Sequence, residues 1–403
     1  MSMRLAILGG GPIGIEAATL ASRCGLEVTV FERGPIGAFV ARWGHVRMFS
    51  PWKLNRSPWG AAALHERGAE LADPEAFPTG REYLRDYLRP LVEAAGLAPR
   101  IRERTTVRGV SRRDAHKGRL IGRRAAAGPF LIAASGPDGP DFVEADIVFD
   151  ATGVYGQPGA LGPGGLPAAG EDAVSDRVER WIPDPNDRDR PAYAGRHVLL
   201  VGDGHSAATT LELLLHLRES HPGTRVTWAL SPKLPPYEEI PDDPLPRRRE
   251  LSRFGNRAAS GEIDGVAPVR GTIRRLEPEN GNIAVTFEDG ATVQVERIVA
   301  NVGYRPDMSL SRELQVHHCY ASEGPMKLAA SLLAQGAGAD CLAQESAGID
   351  TLRSPEPNFW VLGSKSYGRN SNFLLRVGFE QIRTVLSEYA SHDRPAFFES
   401  VGP

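Results

Sequence analysis

The sequence is poor in cysteine: its 403 residues include only Cys24, Cys319 and Cys341, far apart along the chain. With no C-x-x-C pair and no metal-ligand spacing, a disulfide scaffold, a zinc ribbon and a thiolate-held iron–sulfur cluster are excluded, and no metal is expected. An excess of one charge is lacking too. Lys and Arg number 47 against 50 Asp and Glu, a net charge of −3. No basic surface for nucleic acid is therefore expected. Long apolar runs are missing. Leu5–Ile15 is broken at Gly9-Gly10-Gly11-Pro12, has no leader cleavage pattern and is too short to span a bilayer. Val198–Leu217 carries Asp203, His205, Glu212 and His216. These absences lead to the expectation of a cytoplasmic protein without a membrane span. H-E-x-x-H, a P-loop and a Ser-His-Asp set are absent as well.

What the chain has in plenty is glycine and proline, together 76 residues. That implies many tight turns and, at some glycines, close approach of backbone to a ligand. The length suits two or three domains. The N-terminus reads as strand Leu5–Leu8, a glycine turn, an apolar helix Ile15–Arg23 and strand Val28–Phe31. A second unit of this kind begins at His197: strand His197–Val201, helix His205–Arg218, strand Arg225–Leu230. Residues 34–80, with Trp43, Trp52 and Trp59, read as irregular. Arg81–Ala95 carries a helical stripe, 100–150 reads as short strands, and Phe373–Tyr389 as the last helix. The fold class expected is α/β, with two Rossmann-like, doubly wound, three-layer nucleotide-binding domains, the second inserted into the first.

In the first loop Gly9, Gly11 and Gly14 form G-x-G-x-x-G, and Glu32 ends the following strand. Gly9 permits the turn, Gly11 lets backbone approach a pyrophosphate, and Gly14 lets helix and strand pack closely. The helix start offers N–H groups to phosphate, and Glu32 offers a carboxylate to a ribose diol. The second loop repeats the pattern as Gly202, Gly204 and Ala207, with His205 and Ser206 between them. Aligning the strands puts Leu230 where Glu32 stands. With no acid there a 2′-phosphate is not repelled, and Ser231, Lys233 and Arg247–Arg249 are candidates to contact it. NADPH is expected, and NADH stays open.

Two such loops resemble the flavoproteins with two dinucleotide-binding domains, among them thioredoxin reductase, glutathione reductase and the flavin-containing and N-hydroxylating monooxygenases. Asp146–Gly153 (DIVFDATG), Arg297–Asp307 (RIVANVGYRPD) and Asn358–Gln381 are similar to three further stretches of that superfamily. The resemblance implies FAD on residues 1–160 plus 303–403, and NAD(P)H on 161–302. It extends the FAD contacts to Pro12, Ile13, Arg33, Val107, Ala151, Thr152, Gly153, Gly363 and Ser364. It also implies that the last helix, with Asn370 or Ser371 as its cap, points its N-terminus at the flavin.

The departures from the pattern narrow the function. The disulfide reductases' cysteine pair is missing. The F-x-G-x-x-x-H fingerprint of some monooxygenases is missing too, since residues 154–196 hold no Phe and no His. The usual Gly-Asp at the terminal turn is Gly363-Ser364. Lys365, Tyr367, Arg369 and His45 are the catalytic candidates; Trp43, Arg47 and Trp52 share the aromatic loop with His45. The adjacent His317 and His318 read as surface residues. Three functions follow as alternatives: a monooxygenase-like enzyme for a small molecule, a reductase serving a quinone or protein carrier, and a non-enzymatic flavin sensor. Self-association stays open.

Overall fold

The computed structural model describes residues 2–120, 128–232, 235–334 and 348–389, so Lys233 and Cys341 lie outside the described residues. The chain forms two compact units. One draws on Met1–Ala41, Ser50–Gln157 and Arg305–Pro403, the other on Arg42–Phe49 and Pro158–Tyr304.

In the first unit a parallel sheet runs in the order Phe359–Val361, Ile147–Asp150, Arg4–Leu8, Glu27–Phe31, Ile101–Arg102. Leu5–Leu8 and Ile147–Phe149 in its central strands are apolar without alternation because both faces are covered. Ala6 and Leu8 face an antiparallel layer, Thr106–Arg112, Phe130–Gly136 and Gly139–Ala145, through Val110, Phe130 and Ile132. Helices Pro12–Arg23 and Leu375–Leu386 pack together on the opposite face.

The second unit repeats this plan strand for strand: Val178–Glu179, Arg297–Ala300, His197–Val201, Arg225–Leu230, Val266–Arg270. Val198 and Leu200 meet helices His205–Ser220 and Pro246–Ala259. Leu199 and Val201 meet the antiparallel strands Ile273–Glu279, Asn282–Phe287 and Thr292–Val295. Both units are thus three-layered α/β structures of the doubly wound kind, as expected.

Several local readings need correction. The stretch 34–80 contains helices Ala38–Arg42, Trp52–Asn55 and Pro58–His65. The aromatic loop divides between the units: Phe49 packs on the helix-side core of the second, whereas Trp52 stacks on Tyr83 in the first, 5.9 Å between centroids. The helical stripe starts at Gly80 under a Thr79–Glu82 capping box and loosens into a π turn at Leu84–Leu88.

That π turn carries Tyr87 to Glu16, a fully buried acid on the first helix. Glu16 accepts hydrogen bonds from the Tyr87 hydroxyl (2.5 Å), the Ser57 hydroxyl (2.6 Å) and the Ser57 N–H (3.2 Å). Ser57 in turn caps helix Pro58–His65 by accepting from the Gly60 N–H at 2.8 Å. One carboxyl group therefore pins three helical segments. Burial lifts its pKa from 4.5 to about 7, against the pull of the Ser57 and Tyr87 hydrogen bonds. A folded-state pKa above the unfolded one means stability that is full below the unfolded value and lost as pH rises through about 7. The loss amounts to roughly 3 kcal/mol at 1.36 kcal/mol per unit. Urea denaturation at pH 5 and pH 8 should show most of it in the native protein, and Glu16→Gln should remove most of the difference.

Candidate functional site

The first glycine turn is fixed by backbone crowding. Gly9 has φ of +104°, and a Cβ there would lie 2.7 Å from the Ala151 carbonyl oxygen. Its N–H donates to the Phe31 carbonyl at 2.8 Å. A Cβ on Gly14 would fall on the Gly9 carbonyl oxygen, so helix and turn touch through bare backbone. Gly11 is different: nothing lies within 4 Å of where its Cβ would be. It is the N-cap of helix Pro12–Arg23 and provides no side-chain cap; Pro12 takes the position where no N–H is needed. Ile13 is buried behind this opening. Glu32 stands at its side, accepting from the Gly10 and Gly34 N–H groups, each at 2.7 Å. Open space, uncapped helix N–H groups that donate and a carboxylate that accepts are what a dinucleotide's pyrophosphate and ribose require. The residues present fit a dinucleotide.

Two more turns close on this opening. Ala151, Thr152 and Gly153 follow the strand beside Gly9, and Gly363–Tyr367 forms a 3-10 turn after the edge strand. Gly363 has φ of +72° and faces Ile13, with 3.0 Å from its would-be Cβ to Ile13 Cγ1. Ser364 Oγ lies 3.5 Å from the corresponding point on Gly153. The turns are locked by an ion pair that sequence spacing does not reveal: Lys365 Nζ donates to Asp150 Oδ2 at 2.6 Å and to Thr152 Oγ1 at 3.0 Å. Lys365 and Asp150 are each 1% exposed. Gln381 accepts from the Gly363 N–H at 2.9 Å and ties the turn to the last helix. That helix starts at Leu375 without a side-chain cap. Asn370 instead accepts from the Asn372 N–H, and neither it nor Ser371 caps the helix.

The second loop is built alike. Gly202, φ +124°, abuts the Asn301 carbonyl oxygen, and Gly204 has nothing within 4 Å of its would-be Cβ. Helix His205–Ser220 starts there, again without a side-chain cap, with Ser206 exposed and Ala207 buried. The His205 ring is flanked by Phe49 and Tyr237, each at 5.4 Å, and its Nε2 is 3.1 Å from Ser252 Oγ. Burial, with help from the Arg248 charge, lowers its pKa. Tyr237 donates to the Gly204 carbonyl at 3.0 Å.

The other candidates scatter. Tyr367 is buried edge-on to Phe373, at 5.4 Å, with its pKa raised by burial to about 12. Arg369 is exposed and pairs with Glu323 at 3.0 Å. Arg33 is exposed over the Phe39 ring, and Val107 lies at a bulge in the antiparallel layer. His45 belongs to the second unit, its Nδ1 3.9 Å from Asp184, its Nε2 buried without a partner, and its pKa lowered by burial. His318 is half-buried rather than a surface residue, 3.2 Å from Ser311 Oγ. Among the described residues no group of three His, Cys, Asp or Glu side chains is placed to hold a metal, and no helix is long and apolar enough to cross a membrane.

A family model described as pyridine nucleotide-disulphide oxidoreductase matches residues 6–325. No curated protein sequence matches. Among solved structures, bacillithiol disulfide reductase from Bacillus cereus is similar with a TM-score of 0.67 at 19% identity, covering 97% of this chain and 99% of that one. Ornithine N-hydroxylase from Kutzneria sp. 744, solved with reduced FAD, NADP+ and L-ornithine, gives 0.64 at 16% identity, covering 97% and 100%. Thioredoxin reductase from T. acidophilum gives 0.58 at 14% identity, covering 97% and 99%.

The crowding at the first loop separates two glycines by experiment. Gly14→Ala should destabilise the fold by about 1–3 kcal/mol or more, the range for overpacking a tight contact. Gly11→Ala should stay within about 1 kcal/mol of the native protein. Thermal denaturation of the two variants checks this.

Proposed function

Because the chain belongs to the pyridine nucleotide-disulphide oxidoreductase family, we propose that it is an FAD-dependent enzyme that oxidises a reduced pyridine nucleotide and directs the electrons to molecular oxygen and a small-molecule substrate. Membership itself supports the broader statement, a flavin-dependent NAD(P)H oxidoreductase. In this reading the first unit holds FAD: Gly9, Gly11, Pro12, Ile13 and Gly14 at the pyrophosphate, Glu32 at the adenosine ribose, and Ala151–Gly153 with Gly363 and Ser364 around the remainder. The uncapped start of helix Leu375–Leu386 offers positive partial charge, which favours an anionic group. Gly202, Gly204, His205, Ser206 and Ala207 hold the pyridine nucleotide. Bound FAD supplies hydride acceptance and reaction with oxygen; the protein supplies orientation and electrostatics.

The position of Cys24 supports oxygen over a thiol relay at the first loop. Cys24 closes helix Pro12–Arg23 at the end opposite Gly11, about 18 Å away at 1.5 Å per residue. No disulfide joins the described cysteines. One observation favours a second reading, a reductase for an external acceptor: hydrogen bonds from Ser322 and Ala321 lower the pKa of the Cys319 thiol.

Gly11→Val should fold and purify without yellow colour, since the branched side chain fills the open space; a yellow protein overturns the FAD assignment. Reduced holoenzyme mixed with oxygen in a stopped-flow instrument should pass through an absorbance phase distinct from both the reduced and the oxidised spectra. A direct return to the oxidised spectrum favours the reductase. In that case Cys319→Ser with Cys341→Ser should abolish turnover with the acceptor while leaving flavin reduction intact.

A further inference from the structure

The two glycine loops correspond residue by residue. Leu8 pairs with Phe31 and Val201 with Ala229 in parallel register. The Gly9 N–H donates to Phe31, as the Gly202 N–H does to Ala229. Glu32 therefore corresponds to Leu230, and Gly10 to Asp203. In the first loop these two positions face each other: a Cβ on Gly10 would lie 2.9 Å from the Glu32 Cβ. Room exists for one forward-pointing side chain, not two. The second loop makes the opposite choice. Leu230 is 1% exposed and turned into the helix-side core, while Asp203 sits on the loop, half-buried. The carboxylate missing from the strand end has moved to the loop.

We propose that Asp203, steadied by Ser231, reads the adenosine ribose of the pyridine nucleotide and sets a preference for NADH over NADPH. This rests on the reading that the second loop holds the nucleotide, and it reverses the coenzyme expected from Leu230 alone. The Ser231 hydroxyl donates to Asp203 Oδ2. A carboxylate is an acceptor only, with about four lone-pair directions, so Oδ1 remains for the 2′- and 3′-hydroxyls of an unmodified ribose. A 2′-phosphate in their place brings acceptors to an acceptor and negative charge to negative charge.

Among the described residues, two arginines that could offset this repulsion are engaged elsewhere. Arg247 pairs with Glu212. Arg248 is buried against Asp243, its Nε and Nη2 donating at 2.8 and 2.7 Å. Arg270, the register partner of Leu230 on the next strand, gives Nη2 to the Ala259 carbonyl at 3.0 Å, while its buried Nη1 has no partner.

The test is calorimetric titration of the FAD-loaded protein with ADP-ribose and with 2′-phospho-ADP-ribose, which reads binding without turnover. The native protein should bind ADP-ribose at least about tenfold more tightly. Asp203→Asn keeps an acceptor for Ser231 and should bring the two affinities within about threefold, while Ser231→Ala should narrow the gap less. Tighter binding of the 2′-phosphorylated ligand by the native protein overturns the proposal and points to Lys233, Arg249 or Arg270. A native preference unmoved by both variants removes Asp203 from the role but leaves the nucleotide site standing. Failure to bind either ligand overturns the site itself, and the proposal with it.

Discussion

The contact on which both units depend is one of backbone against backbone. Gly9 sits against the Ala151 carbonyl, and Gly202 against the Asn301 carbonyl. Each contact joins the end of a central strand to the end of the neighbouring strand on one side, while the following helix leads to the neighbour on the other. A side chain at either glycine would push the two strand ends apart and move the helix start away from the crevice. A positive φ at both positions turns the chain sharply enough for the helix to begin within three residues. What a ligand would meet at each loop, open space and free N–H groups, is the remainder of that geometry.

The electrostatics of the first unit follow from burial. Lys365 and Asp150 are deep enough that each would be costly alone, and Thr152 adds a second acceptor for the ammonium group. Lys365 is therefore a fastener behind the opening, and its charge is spent on Asp150. Glu16 has no cation among its hydrogen-bond partners, only hydroxyls and one N–H, and its pKa rises accordingly.

How much of this was legible in the sequence depended on distance along the chain. Strand, glycine turn, helix and second strand lie within 28 and 34 residues, so periodicity and glycine spacing located both loops. The carboxylate of the second loop was legible only in part: the alignment found that Leu230 replaces Glu32, but not that a loop residue and a strand-end residue compete for one space. Lys365 and Asp150 are separated by 215 positions, and no periodic pattern links them. Asn370 and Ser371 have the composition of caps, yet helix Leu375–Leu386 begins later, because an Asx turn claims Asn370 first. The aromatic loop reads as one segment, and the structure divides it between two cores.

The discontinuity of the first unit has a consequence for the order in which the protein is made. Every residue assigned to the second unit lies between positions 42 and 304. The first unit's edge strand, Phe359–Val361, its buried Lys365 and the Glu356 carboxylate that meets Arg112 at 2.7 Å all come later. Domains tend to fold as they leave the ribosome. The second unit is therefore complete while the first still exposes the open edge of Ile147–Asp150 and an unpaired Asp150. During synthesis, the half of the molecule that begins first is the half that finishes last.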